Sequence, residues 1–185
     1  MRRASRGGPA RVAVALALAA GALGACASSL GGYAETLTSW RAGDHTGALA
    51  HARAEYQRFR EGNDLSEQAV RAAVDGAMDA LAERPIVPRS GPPAAVPMDL
   101  GAPGALRDAV RADLLSGRVT PILRACASTA HLGLRVHAPD LITVIFRRDP
   151  VTADGGLLAE ASVALRSVAA KRAALDALEA LAHGR

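Results

Sequence analysis

Apolar residues recur at helical spacing along most of this chain and almost nowhere alternate as a half-buried strand requires. Leu49, Ala52, Tyr56 and Phe59 share one face of a segment from about Thr46 to Arg60. Gly62-Asn63 stops that segment. A shorter helix precedes it from Tyr33 to Trp40, closed by Arg41-Ala-Gly-Asp44. Val70, Val74, Ala77, Met78 and Leu81 repeat the pattern in a third helix, for which Asp64 and Glu67 offer a capping pair. Leu106, Ala109, Val110 and Leu114 then line one side of 105–115, and Ser116-Gly117 ends it. Pro121 suits the first turn of a helix that runs to about His131 and ends at Gly133. Leu141 to Phe146 is β-rich, yet its Pro139 start and its helical neighbours favour helix. Arg147-Arg-Asp-Pro150 and Asp154-Gly-Gly156 make the turn that follows, and Leu157 to Val168 and Arg172 to Ala182 supply the last two helices. The spacing predicts an all-α protein of about eight short helices arranged as helical hairpins, either stacked or gathered into a compact bundle.

Residues 85–103 break the pattern. They hold six of the ten prolines and carry little charge, so they read as a Pro-rich linker, extended over the surface or strapped to the helices. The expected organisation is therefore a segment at 1–25 to be removed, a short Ser/Gly tether at 26–32, an N-terminal helical region at 33–84, the linker, and a C-terminal helical region at 104–185.

The first 25 residues have their own logic. Arg2, Arg3, Arg6 and Arg11 precede an apolar run, Val12 to Ala25, that is too short for the roughly 20 residues needed to span a bilayer. A basic start, a short apolar core and small residues at its end make a secretory signal peptide. The whole chain has 22 basic and 18 acidic residues, a net charge of +4. Removing those four arginines leaves 18 of each sign, so the electrostatic footprint of nucleic-acid binding disappears. Only one of the basic residues, Lys171, is a lysine.

The segment closes on Leu23-Gly24-Ala25-Cys26, which resembles the lipobox of bacterial lipoproteins. The resemblance covers the first 26 residues. It implies cleavage before Cys26, a thioether-linked diacylglycerol on its sulfur, and an acyl chain such as palmitate on the new amino terminus. Each buried methylene adds about 0.8 kcal/mol, so two or three chains hold a protein to a membrane where one does not. Ala27 follows the cysteine. In a Gram-negative host that implies the outer membrane, with the protein facing the periplasm.

The body carries weaker resemblances. Ile122 to Gly133, Pro139 to Phe146, Arg148-Asp-Pro150 and Leu158 to Ala169 are similar to HEAT-type repeats: an Ala-rich helix, a Pro-started helix, then an Asp-Pro turn. About two such units are visible. Trp40-Arg-Ala-Gly-Asp44 with Ala48 to Tyr56 resembles one tetratricopeptide unit. Both resemblances imply stacked helix pairs whose exposed faces bind other proteins.

The residues spell out no catalytic or metal-binding motif. His45 and His51, like His131 and His137, are six apart and do not stack on a helix face. There is no His-Glu-x-x-His, Cys-x-x-Cys, Gly-x-Ser-x-Gly or acidic calcium loop. Cys126, the second of two cysteines, lies in an Ala-rich helix and reads as a buried small hydrophobe, with a reactive thiol as the alternative. Trp40, Tyr56 and Phe59, among the few aromatics, and the pair Arg147-Arg148 are the candidates for partner contact. The expectation is a non-enzymatic, cofactor-free adaptor, held to the membrane through lipid on Cys26 and binding another envelope protein. A carrier of an apolar ligand or lipid between helices is the alternative.

Overall fold

The computed structural model describes residues 31–83 and 103–184. The signal segment, Cys26, most of the tether and most of the Pro-rich segment lie outside the described residues. Among those described there are seven α-helices and no strand. They are α1 (31–41), α2 (His45–Gly62), α3 (Glu67–Glu83), α4 (Pro103–Leu115), α5 (Val119–Leu132), α6 (Ala138–Phe146) and α7 (Val163–Ala182), with a 3-10 turn at Arg135–His137 before α6. None of these helices is long and apolar enough to cross a membrane.

Local chemistry explains most boundaries. The Asp44 carboxylate accepts the Gly47 amide at 2.9 Å and starts α2. Asn63 ends it, its side-chain amide donating to the Phe59 carbonyl at 2.8 Å. At α3 the expected capping pair is displaced. Ser66 Oγ accepts the Ala69 amide at 3.1 Å, while Asp64 sits in the turn at φ 53°. Gly133 closes α5 at φ 62°, a left-handed cap that only glycine adopts without strain. The β-rich run is helical, with Pro139 in the first turn of α6. The expected break between the last two helices is absent. Ala169-Ala170-Lys171 contains nothing to interrupt a helix, so α7 runs unbroken through it, and Leu157–Glu160 is turn instead.

α7 is the centre of the fold. It packs against α2, α3, α5 and α6 together. Its buried positions are mostly small, Ala169, Ala170, Ala173, Ala174 and Ala177, interleaved with Leu175, Leu178 and Leu181. Alanines let neighbouring backbones approach closely, and the leucines fill the gaps between them. Ile122 and Leu123 from α5 and Leu141, Ile142 and Ile145 from α6 are fully buried in the same cluster, as is Val70 of α3. Full burial of a side chain of this size is worth about 1.5–3 kcal/mol. The helices before and after the Pro-rich segment therefore share one core. The long connection from α6 to α7 is pinned to α5. The Val119 amide donates to the Thr152 carbonyl at 3.1 Å, and Thr120 Oγ1 donates to Asp154 at 2.7 Å.

Candidate functional site

Three of the residues singled out from sequence converge where α2, α6 and α7 meet. Phe59 comes from α2, and Arg147 and Arg148 from the end of α6. What gathers them is two buried ionisable side chains that sequence reading missed, Glu55 and Lys171, exposed by 1% and 3%. The Lys171 ammonium donates to the Arg147 carbonyl at 2.6 Å and to the Ile145 carbonyl. It thereby caps the C-terminal end of α6, where a cation meets the negative end of the helix dipole. The Phe59 ring lies beneath it, 4.3 Å from nitrogen to centroid. Arg58 and Arg148 approach the Glu55 carboxylate to 3.0 and 3.3 Å. Neither is aligned for a hydrogen bond, so these contacts are coulombic. Burial pulls the Lys171 pKa down to about 7. The neighbouring Glu55 carboxylate opposes that shift, and Arg148 and Arg147 reinforce it.

Tyr56, one residue on, turns to the other flank of α2, which carries a second polar cluster. A groove of about 430 Å³ runs there between α2, α3 and α7. Arg53, Tyr56, Gln57 and Arg60 line it from α2, Glu67 and Arg71 from α3, and Arg172, Leu175 and Glu179 from α7. Glu67 is its hub. Its carboxylate accepts the Tyr56 hydroxyl at 2.7 Å, Arg71 Nε at 3.0 Å and Arg172 Nη1 at 2.9 Å, with Arg60 Nε at 3.5 Å. Burial alone would raise the Glu67 pKa. The Tyr56 and Arg71 hydrogen bonds and the Arg172 and Arg71 charges outweigh it and hold the carboxyl below its ordinary range. Tyr56 shifts upward, through burial first and then through its bond to Glu67. Arg172 also grips Asp176 with two nitrogens, at 2.8 and 3.1 Å. The rim arginines are held more loosely. Arg53 meets Glu179 and Arg71 meets Glu67 through Nε alone, and both side chains are more than half exposed.

The remaining candidates stand apart from both clusters. Trp40, at the end of α1, is half-buried and stacks on His45 with centroids 4.4 Å apart. Cys126 is fully buried in the core, and burial pushes its thiol far up. His137 is buried beside Asp140, with Nδ1 3.1 Å from the carboxylate. Among the described residues no three His, Cys, Asp or Glu side chains gather as a metal would need. One signal for the missed pair was available in the sequence, namely a single lysine among 22 basic residues. A chain that uses arginine everywhere else keeps lysine where the cation is buried, compact and able to lose its proton.

Compared with known proteins, the chain matches no family model, no curated protein and no solved structure.

Proposed function

We propose that the protein is a lipid-anchored helical adaptor of the bacterial envelope that binds another protein and performs no chemistry itself. In a Gram-negative cell it faces the periplasm from the outer membrane. The observation that carries this reading is the interval between Cys26 in its lipobox and the helical body. Helix α1 is under way by residue 31. Five residues extend at most about 18 Å, so an acylated Cys26 holds the body close to the bilayer. The start of α1 packs on the end of α6: a side chain at Gly32 would meet the Phe146 ring, and the Tyr33 and Phe146 rings are 5.8 Å apart, edge to face. The membrane-facing side is then the side of α1 and α6. The α2–α3–α7 groove, on the other flank of α2, is left for a partner. The apolar run Leu141–Phe146, on which an apolar-ligand carrier would depend, is buried in the core.

The test is metabolic labelling with a palmitate analogue, followed by membrane fractionation. The native chain is expected to take up label and to sediment with membranes, and Cys26→Ala is expected to do neither. Equal membrane association of the two would sink the anchor, and with it this reading.

A further inference from the structure

We infer that the groove between α2, α3 and α7 is a docking site for the acidic side chains of a protein partner. The inference rests on the adaptor reading and names the chemistry of its partner. Four arginines line the groove, Arg53, Arg60, Arg71 and Arg172. Glu67, Glu179 and the adjoining Asp176 and Glu61 match them in number, so what the groove offers an anion is unused guanidinium edges and not a net positive charge.

The internal carboxylate shows what the groove does with an anion. Glu67 takes a phenolic hydroxyl and two guanidinium nitrogens at hydrogen-bonding distance, with a third guanidinium close by. The same donor types remain at the mouth. Arg53 and Arg71 use only Nε, so their Nη groups have no partner among the described residues. A guanidinium edge with two free N–H groups matches a carboxylate two-pronged. Two such edges on one groove, from different helices, suit two acids on one extended segment.

Placement selects a protein segment over a lipid headgroup. The groove lies on the flank of α2 away from α1 and α6, hence away from the side where the chain enters α1. Preorganisation adds to the case. Arg172 is clamped by Asp176 and Glu67 and stacks over Tyr56, its carbon 5.7 Å from the ring centroid, so the inner wall loses little freedom on binding.

The experiment uses full-length acylated protein in neutral detergent micelles. The probe is a fluorescent peptide of alternating Glu and Gly, with a Gln-for-Glu peptide beside it. Anisotropy is expected to report binding of the Glu peptide alone, weakening as salt is added. Arg53→Ala with Arg71→Ala is expected to weaken it at least roughly tenfold. Arg71→Ala also removes one bond to Glu67, so the fold is verified by an unchanged far-ultraviolet circular dichroism spectrum and a melt that stays cooperative. Arg107→Ala with Arg111→Ala removes the same charge from the separate α4–α6 groove and is expected to leave binding intact. Equal loss in the two double variants would mean unspecific attraction and would overturn the site. So would undiminished binding by the Arg53/Arg71 variant, or capture of phosphatidylglycerol vesicles or inorganic phosphate through these arginines in place of the peptide. Cys26→Ala protein separates the two levels. If it loses the membrane but keeps the peptide, the groove stands on its own. If it keeps the membrane, the anchor fails whatever the groove does.

Discussion

Lys171 on α7 donates its ammonium protons to the main-chain oxygen of Arg147, the residue that follows α6, at 2.6 Å. One side chain thus ties the central helix to the exposed end of a neighbour and lays its charge over Phe59. Lys171→Met is expected to leave the Ile145 carbonyl without that donor and to cost about 1–3 kcal/mol in urea unfolding. Lys171→Arg keeps the charge but brings a larger, planar head into a filled site. It is expected to rescue little, whereas an arginine as stable as the native lysine would show that charge alone matters there.

The same lysine sets a pH dependence. Its pKa falls from an ordinary 10.5 to about 7 on folding. The unfolded chain therefore binds the extra proton between those values, and stability rises with pH across that interval. What Lys171 contributes is fully present above 10.5 and is lost as pH falls through 7. Cys126 and Tyr56 act in the opposite sense, being raised from 9.0 and 10.0. Their contribution is complete below those values and is lost as pH climbs above them. The melting temperature is expected to increase from pH 7 to pH 9 and then to turn over. The rise should flatten in Lys171→Met, and a rise that persists there would assign it to another group.

Glu67 joins three helices through one carboxylate. Glu67→Gln keeps the shape but weakens the bonds to Arg71 and Arg172, and an expected loss of about 1–3 kcal/mol follows. Tyr56→Phe removes a hydroxyl bonded to a charged acceptor and should cost a similar amount. Because the two share a bond, the double variant is expected to lose less than the sum of the singles. Strict additivity in denaturant titrations would mean the bond contributes nothing.

Gly133→Ala isolates a backbone effect. A methyl group there meets nothing within 4 Å, yet φ is 62°. The expected cost is about 1 kcal/mol, from strain alone. Gly133→Asn should cost less, since asparagine tolerates this conformation. A neutral alanine would show that the end of α5 rearranges freely.

The Cys126 thiol, enclosed by the core, is expected to resist an aromatic disulfide reagent in buffer and to react completely in denaturant. Labelling of the folded protein within minutes would require a route into the core that the packing does not contain, and would reopen the reactive-thiol alternative.

Helix content was legible because it depends on short-range order. The faces carrying Leu49, Ala52 and Tyr56, or Val70, Val74 and Ala77, reach the core as their spacing implied. Caps were read less well, since Ser66 and Asp64 are both good candidates and only the path of the turn decides between them. The unbroken α7 was missed because its buried side is so rich in alanine that spacing marks no single face. Which residues meet in the two polar clusters was beyond reach for another reason. Glu55 and Lys171 are 116 residues apart in sequence, and Glu67 and Arg172 are 105 apart. Local pattern carries no information about which distant charges will meet. Phe59, Arg147 and Arg148 were found singly, without the pair that unites them.

The position of α7 along the chain also governs when this fold can form. Helices α2, α3, α5 and α6 all lie against it, and all are synthesised before it. Until residues 163–182 arrive, the earlier helices can pack only on one another, α4 on α5 and α6, α2 on α6 and α3 on α5, and the helix that contacts four of them at once is missing. The complete core therefore closes only when α7 docks, in whatever order the other helices form.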